Sequence, residues 1–242
     1  MLIRPQKSVL ANDSLLRLRS VRAQIAAAAQ TAGRSEGSIT VVAVSKGHSA
    51  AAVRELAVLG IKHFGESYLQ EAVPKLDALA DTPLTWHFVG RLQANKTRVV
   101  AERFDWVHGL DRLRIAERLA QHRPPDVPPL NICLQVKLSE DDTKGGVAAE
   151  ELPVLIAALA ALPRLRLRGL MCILPAELNG AQQSAYFDAV CELQQRLITD
   201  GALLDTLSMG MSGDFERAIA SGATLLRVGS ALFGLASISP AS

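Results

Sequence analysis

The sequence predicts a single-domain α/β protein, a (β/α)8 barrel of the TIM type with an extra helix ahead of the first strand. Three observations predict it. Eight apolar strand-like runs alternate with helix-patterned segments, which is the signature of parallel βαβ units. The 242 residues, 49% of them hydrophobic, suffice for one large core. The runner-up, an open doubly wound sheet, needs a glycine fingerprint after its first strand, and "SKGHSAA" stands there instead. The domain is expected to span 1–242, with its core at about 13–234.

The elements follow in order. Leu15, Leu18, Val21, Ile25 and Ala28 repeat at helical spacing and predict a first helix with Asp13 as N-cap. Strand one is "SITVVAVS" at 38–45, and a helix runs from about Ala50 to Leu59. "IKHFGE" at 61–66 is strand two; the next helix starts near Ser67 and contains "LQEAVPKLDALA". "LTWHFVG" at 84–90 is strand three, followed by a short helix around Asn95 to Ala101. "DWVHGL" at 105–110 is strand four, ahead of the helix "DRLRIAERLAQH". The proline-rich "RPPDVPPL" connects to strand five, "LNICLQVKL" at 130–138, and "AAEELPVLIAALAAL" is the helix after it. "LRLRGLMCIL" at 165–174 is strand six, with a long helix from about 181 to 198. "LDTLSMGM" at 204–211 is strand seven, a short helix starts near Asp214, and "TLLRVGSALFG" at 224–234 holds strand eight. No long helix follows strand eight, so the first helix is expected to supply the missing cover.

Composition narrows the function classes. With 26 Lys+Arg against 24 Asp+Glu, the chain lacks the basic excess of a nucleic-acid footprint, although a local anion site remains open. Cys133, Cys172 and Cys191 fit neither a disulfide framework nor a zinc pattern and read as small core hydrophobes. A reducing, cytoplasmic setting is the expectation. The longest apolar stretch, "LIAALAAL" at 155–162, is too short to span a membrane, and no secretory signal is evident.

The chemistry is expected at the C-terminal mouth of the strands. "VVAVSK" delivers Lys46 to the tip of strand one. A solvated lysine is one reading; a desolvated amine able to form a Schiff base with a carbonyl is the other. The loops after strands seven and eight, "SMGMSGD" and "RVGSALFG", offer Gly210, Ser212, Gly213, Gly229 and Ser230. Small residues let backbone N–H groups approach an anion, and such barrels often bind phosphate at these two loops. The alternative is that the glycines merely permit tight turns. Closure sets strand one beside strand eight, so a phosphorylated aldehyde would satisfy both lysine and cradle. Pyridoxal 5′-phosphate (PLP) is the common cofactor of that kind, and phosphorylated sugars also fit. Arg227 alternates with Leu225 and Gly229 and so faces the cavity. Beside a pyridine nitrogen its charge would oppose protonation there; pairing with a core carboxylate is the other reading.

"AVSK", "HFGESYLQE", "WHFVGRLQANK", "DRLRIA", "RLRLRGLM", "LSMGMSGD" and "LRVGSALFG" occur in the order and spacing of a known family. From about residue 15 to 234 the chain resembles the pyridoxal phosphate homeostasis proteins, whose barrel is similar to the N-terminal domain of alanine racemase. The resemblance implies that Lys46 carries PLP as a Schiff base, that Ser212, Gly229 and Ser230 hold its phosphate, and that Arg227 lies near the ring nitrogen. It also implies a largely monomeric protein that supplies and buffers PLP without a dedicated reaction, PLP-dependent apo-enzymes being possible recipients. The chain departs from the family at His48, where a second lysine often stands, and at Ser67, where asparagine is usual.

His63, His87 and His108 lack metal-ligand spacing and are expected as hydrogen-bonded barrel residues, with His87 approaching the cavity. Arg91, Asn95 and Lys96 follow strand three; Lys137, Asp141, Asp142 and Lys144 lie in or beside the loop after strand five, where no third metal ligand is evident. An amino-acid racemase is the alternative function. It needs acid–base groups on both faces of the substrate carbon, and the only tyrosines, Tyr68 and Tyr186, are expected in the outer layer. A Schiff-base aldolase ranks last, because such barrels carry the lysine on a middle strand.

Overall fold

β-Branched and apolar runs without helical periodicity form the wall. In the structure, a computed structural model, residues 6–138, 145–175 and 177–235 are described. The strands are β1 (Thr40–Val44), β2 (His63–Glu66), β3 (Thr85–Phe88), β4 (Trp106–Leu110), β5 (Leu130–Gln135), β6 (Leu165–Met171), β7 (Thr206–Ser208) and β8 (Leu225–Val228). All pair in parallel and in sequence order, and β8 closes on β1 with Val42 opposite Arg227. The doubly wound alternative is thereby excluded.

The helices are α1 (Gln6–Thr31), α2 (Ala50–Val58), α3 (Leu69–Ala78), α4 (Thr97–Arg103), α5 (Leu113–His122), α6 (Leu152–Ala160), α7 (Gly180–Thr199), α8 (Phe215–Ala220) and α9 (Ser230–Phe233). Their apolar faces cover the outward strand residues, among them Ala43, Phe64, Phe88, Val107, Ile132 and Leu134, all buried. The predicted strands overran the observed ones, most at β7, where Met209 stays fully buried beyond the strand's end at Ser208. Burial continues past the end of the strand, so an apolar run overstates strand length.

α1 takes the place left open after β8. Leu18, Val21, Ile25 and Ala29 are buried. Arg17 Nε donates to Leu232 O at 2.9 Å, and Arg34 Nη1 to Ile219 O at 2.8 Å. Asp13 is not the N-cap: the helix already runs from Gln6, so Asp13 lies inside it.

The inner face is unusually polar. Register puts Val42, His63 and Arg227 on the same side of the sheet, and likewise Gly65 and His87. His87, His108 and Ser208 have no exposed surface, and Arg227 is 5% exposed. The sequence expectation of hydrogen-bonded barrel histidines holds: His63 bonds His87, and His87 bonds His108. His87, however, borders a cavity with His63, Thr40, Trp106 and Leu225, at the N-terminal end of the strands, not the mouth. Cys133 and Cys172 are core residues whose thiols burial pushes up to about 12; Cys191 is only half-buried.

Candidate functional site

Lys46 occupies the apex of a tight turn. His48 N donates to Ser45 O at 3.0 Å, which closes a four-residue turn over 45–48. Gly47 stands third in it with φ +74°, a conformation that favours glycine. Ser49 then starts α2, its hydroxyl accepting from Ala52 N. Lys46 is therefore held at the mouth end of β1, and its side chain is exposed.

Both flanks of Lys46 are anchored by charged side chains that the sequence reading missed, Lys75 and Glu66 buried and Glu71 partly exposed. Lys75 Nζ donates to Ser45 O and to Glu66 Oε1, each at 2.7 Å. Ser45 Oγ donates to the same carboxylate oxygen. On the other side, Gly47 N donates to Glu71 Oε2 at 2.7 Å, and Glu71 lies 3.8 Å from Lys75. The Glu66 side chain is 0% exposed, and burial raises its pKa while the Lys75 ammonium pulls it back down. The sequence carried one readable signal: Lys75 falls on the apolar stripe Leu69, Ala72, Leu76, Leu79, where a helix facing the barrel should have a hydrophobe.

The seam between β1 and β8 brings the other predicted residues alongside. A Cβ built on Gly229 would lie 3.3 Å from Val44 O, two residues before Lys46. His48 stacks on Phe233, with ring centroids 4.7 Å apart. Gly229 precedes α9, whose first residue is Ser230. Ala231 N donates to Ser212 Oγ at 3.4 Å and ties the loop after β7 to the loop after β8. Gly210, at φ +92°, leaves no room for a side chain, since a Cβ would meet Ala218 Cβ at 2.7 Å. Gly213 has open space where a Cβ would stand, so its backbone is accessible from outside. Ser212, Gly213, Gly229 and Ser230 thus form one patch of small residues beside the tip of β1.

Arg227 faces the barrel interior, as alternation indicated. Its Nη1 donates to Ser208 O (2.6 Å) and Ser208 Oγ (2.8 Å), and its Nη2 to Cys172 O (2.8 Å). No carboxylate pairs with it among the described residues. Burial lowers its pKa from the usual guanidinium range. A buried cation held only by neutral acceptors is suited to an electron-rich ligand atom nearby. With the patch of small residues and the strand-tip amine, the donor set matches the two handles of PLP.

The remaining residues sort by position. The His48 imidazole is held below its ordinary pKa by burial, then by Lys75 and Arg17, so it offers no charge where the family often has lysine. Ser67 lines a mouth cavity of about 440 Å³ with Tyr68, Phe88, Gly90, Arg91 and Lys96. Tyr68 is accordingly at the mouth and half exposed, not in the outer layer as expected. Tyr186 is in the outer layer, its hydroxyl accepting from Leu138 N. Asn95 and Arg91 line a neighbouring cleft with Arg112 and Arg114. Asp141, Asp142 and Lys144 lie outside the described residues. Among the described residues there is no cluster of metal-binding type, and no helix is long and apolar enough to cross a membrane.

Residues 16–237 match the family described as alanine racemase, N-terminal domain. The pyridoxal phosphate homeostasis protein of Pseudomonas aeruginosa is 52% identical over 217 residues, covering 90% of this chain and 93% of the relative. That of Escherichia coli K12 is 47% identical over 226 residues, covering 92% and 97%. The chain belongs to the pyridoxal phosphate homeostasis protein family. Among solved structures, PipY of Synechococcus elongatus PCC7942 with PLP bound superposes with a TM-score of 0.81 at 39% identity, covering 93% of this chain and all of PipY. Beyond the family, alanine racemase from Corynebacterium glutamicum shares the fold, with a TM-score of 0.67 at 17% identity over 93% of this chain and 63% of that one.

Proposed function

We propose that the chain binds pyridoxal 5′-phosphate and serves intracellular PLP homeostasis as a carrier and buffer, with no dedicated reaction of its own. The observation that carries this reading is the juxtaposition at the β1–β8 seam: Lys46 on its turn, the small-residue patch at 212–213 and 229–230, and the uncompensated Arg227. PLP bound to the PipY relative, 39% identical, supports the same cofactor. Lys46 is the residue for covalent attachment. Ser212, Gly229 and Ser230 hold the phosphate, and Arg227 stands toward the ring nitrogen. Bound PLP supplies an aldehyde carbon with which an amine can form a reversible bond. Lys75, Glu66 and Glu71 keep the Lys46 turn rigid. Arg227, as a cation, disfavours a proton on the ring nitrogen and so weakens the ring as an electron sink. A weak electron sink suits storage better than turnover. The protein acts as a single-domain cytoplasmic monomer that hands PLP to apo-enzymes.

A racemase would need a second acid–base group opposite Lys46. Tyr186 is engaged with Leu138 N in the outer layer, and Tyr68 stands at the rim beside β3. The test is spectroscopic. Protein mixed with PLP is expected to show a visible absorption band that borohydride abolishes, and Lys46→Ala is expected to remove it. Absence of the band from the parent protein would refute PLP attachment; rapid enantiomer exchange of L-alanine by the PLP-loaded protein would favour the racemase.

A further inference from the structure

A continuous line of hydrogen bonds runs through the barrel from Arg227 to the end opposite the mouth. Arg227 Nη1 reaches Ser208 Oγ (2.8 Å), Ser208 Oγ meets His108 Nδ1 (2.7 Å), His108 Nε2 meets His87 Nδ1 (2.9 Å), and His87 Nε2 meets His63 Nδ1 (3.0 Å). Ser208, His108 and His87 are fully buried; His63 is half-buried and borders a basal cavity of about 270 Å³.

The chain has a direction. A guanidinium only donates, and a hydroxyl has one hydrogen. Ser208 Oγ accepts from Arg227, and among the described residues the acceptor within reach of its one buried hydrogen is His108 Nδ1, so it donates there. His108 is then the Nε2–H form and donates to His87 Nδ1; His87 likewise donates from Nε2 to His63 Nδ1. All three rings must be neutral for this order. Burial holds each of them below the ordinary imidazole pKa, with His108 further lowered by Arg227 and His87 by its two neighbours.

We propose that His63 is the proton-accepting end of this polarised chain, and that charging it reverses the chain and changes how Ser208 meets Arg227. The unprotonated nitrogen of His63 is Nδ1, which already accepts from His87, so a hydrogen can rest there only if the tautomers of His87 and His108 change with it. A proton gained by the chain thus leaves His63 with hydrogens on both nitrogens, His87 with Nδ1–H in place of Nε2–H, and His108 with Nδ1–H. One proton is taken up in all. Ser208 Oγ then accepts from both His108 and Arg227, and its own hydrogen must turn elsewhere. The groups facing the basal end are Lys62, which opposes charging of His63, and Asp105, which favours it. The Arg168–Asp205 pair shares the basal cavity, and Glu36 shares an adjoining cleft with Lys62 and His63. Trp106 stacks on His87 (centroids 5.4 Å, 15°) and carries no charge. Only the consequence for PLP, a weaker hold on Arg227 under acid conditions, rests on the function proposed above; the chain itself does not.

The test is nitrogen-15 NMR of histidine-labelled protein without PLP, with signals assigned through His→Gln variants and His122→Gln as an outlying control. At neutral pH the Nε2–H form is expected for His63, His87 and His108. As His63 titrates, His87 and His108 are expected to switch to Nδ1–H at the same midpoint. In His63→Gln, whose side-chain oxygen can accept from His87 but cannot be protonated, both are expected to keep Nε2–H throughout. Rings that keep their form while His63 titrates, or a switch that persists in His63→Gln, would overturn the proposal. PLP affinity, measured separately, is expected to drop with the same midpoint in the parent protein and to lose that step in His63→Gln. If the NMR switch occurs without an affinity step, the chain stands and its link to PLP fails.

Discussion

Lys75→Met is expected to lower folding stability by about 3–5 kcal/mol, the usual cost of leaving a buried carboxylate unpaired. Methionine matches the length of the lysine stem, so packing in α3 is largely kept and the charge is the main loss. Glu66 would lose its cation while keeping a fully buried side chain. Its second oxygen, Oε2, is already buried without a partner among the described residues. Part of the cost is relieved by protonation of Glu66, so the deficit should shrink as pH falls. Lys75→Met combined with Glu66→Gln removes both charges and is expected to recover most of the loss. Urea denaturation of the three proteins measures this. A single variant as stable as the parent would show that the clamp on the Lys46 turn contributes little.

Acid is expected to destabilise the fold steeply below about pH 6.5, the ordinary imidazole value. His87 and His108 have folded pKa values well below that of the unfolded chain. The unfolded state therefore binds more protons once the pH drops under it. The stabilisation is present above about 6.5 and is lost as the pH falls toward the folded values. Each group contributes a slope of about 1.4 kcal/mol per pH unit, so the two together give about 3 kcal/mol per unit. His63, less buried and shifted in the same direction, adds to the slope. Urea midpoints measured between about pH 7.5 and 5 check the sign and the size. A flat profile across that range would mean that the rings accept protons without unfolding.

The barrel was legible because each wall segment announces itself through apolar content and each helix through its stripe, and because eight such units have few other ways to pack. Lys46 and the glycines at 210, 213 and 229 were legible because they interrupt those patterns at strand ends. Arg227 was placed correctly by alternation alone. Its partners were not, since Ser208 and Cys172 are 19 and 55 residues away and no period links them. The same holds for Ser208 and His108, 100 residues apart. Glu66 and Lys75 are nine residues apart on consecutive elements, a separation that propensity and moment do not interpret. Asp13 misled because a capping residue type was met inside a helix that had already begun.

The bond from Arg17 to Leu232 joins residues 215 apart, near the two ends of the chain. During synthesis, at roughly 5–20 residues per second, α1 must wait on the order of 10–40 s before β8 and α9 emerge to receive it. In that interval α1 can meet only α2 and the segment just ahead of β1, while its seat against α8 and α9 is still unmade. Ribosome-held chains that stop short of β8 are expected to lose α1 to light proteolysis, whereas chains reaching beyond α9 keep it; equal protection in both would mean that the first helix docks without its latest-made neighbours.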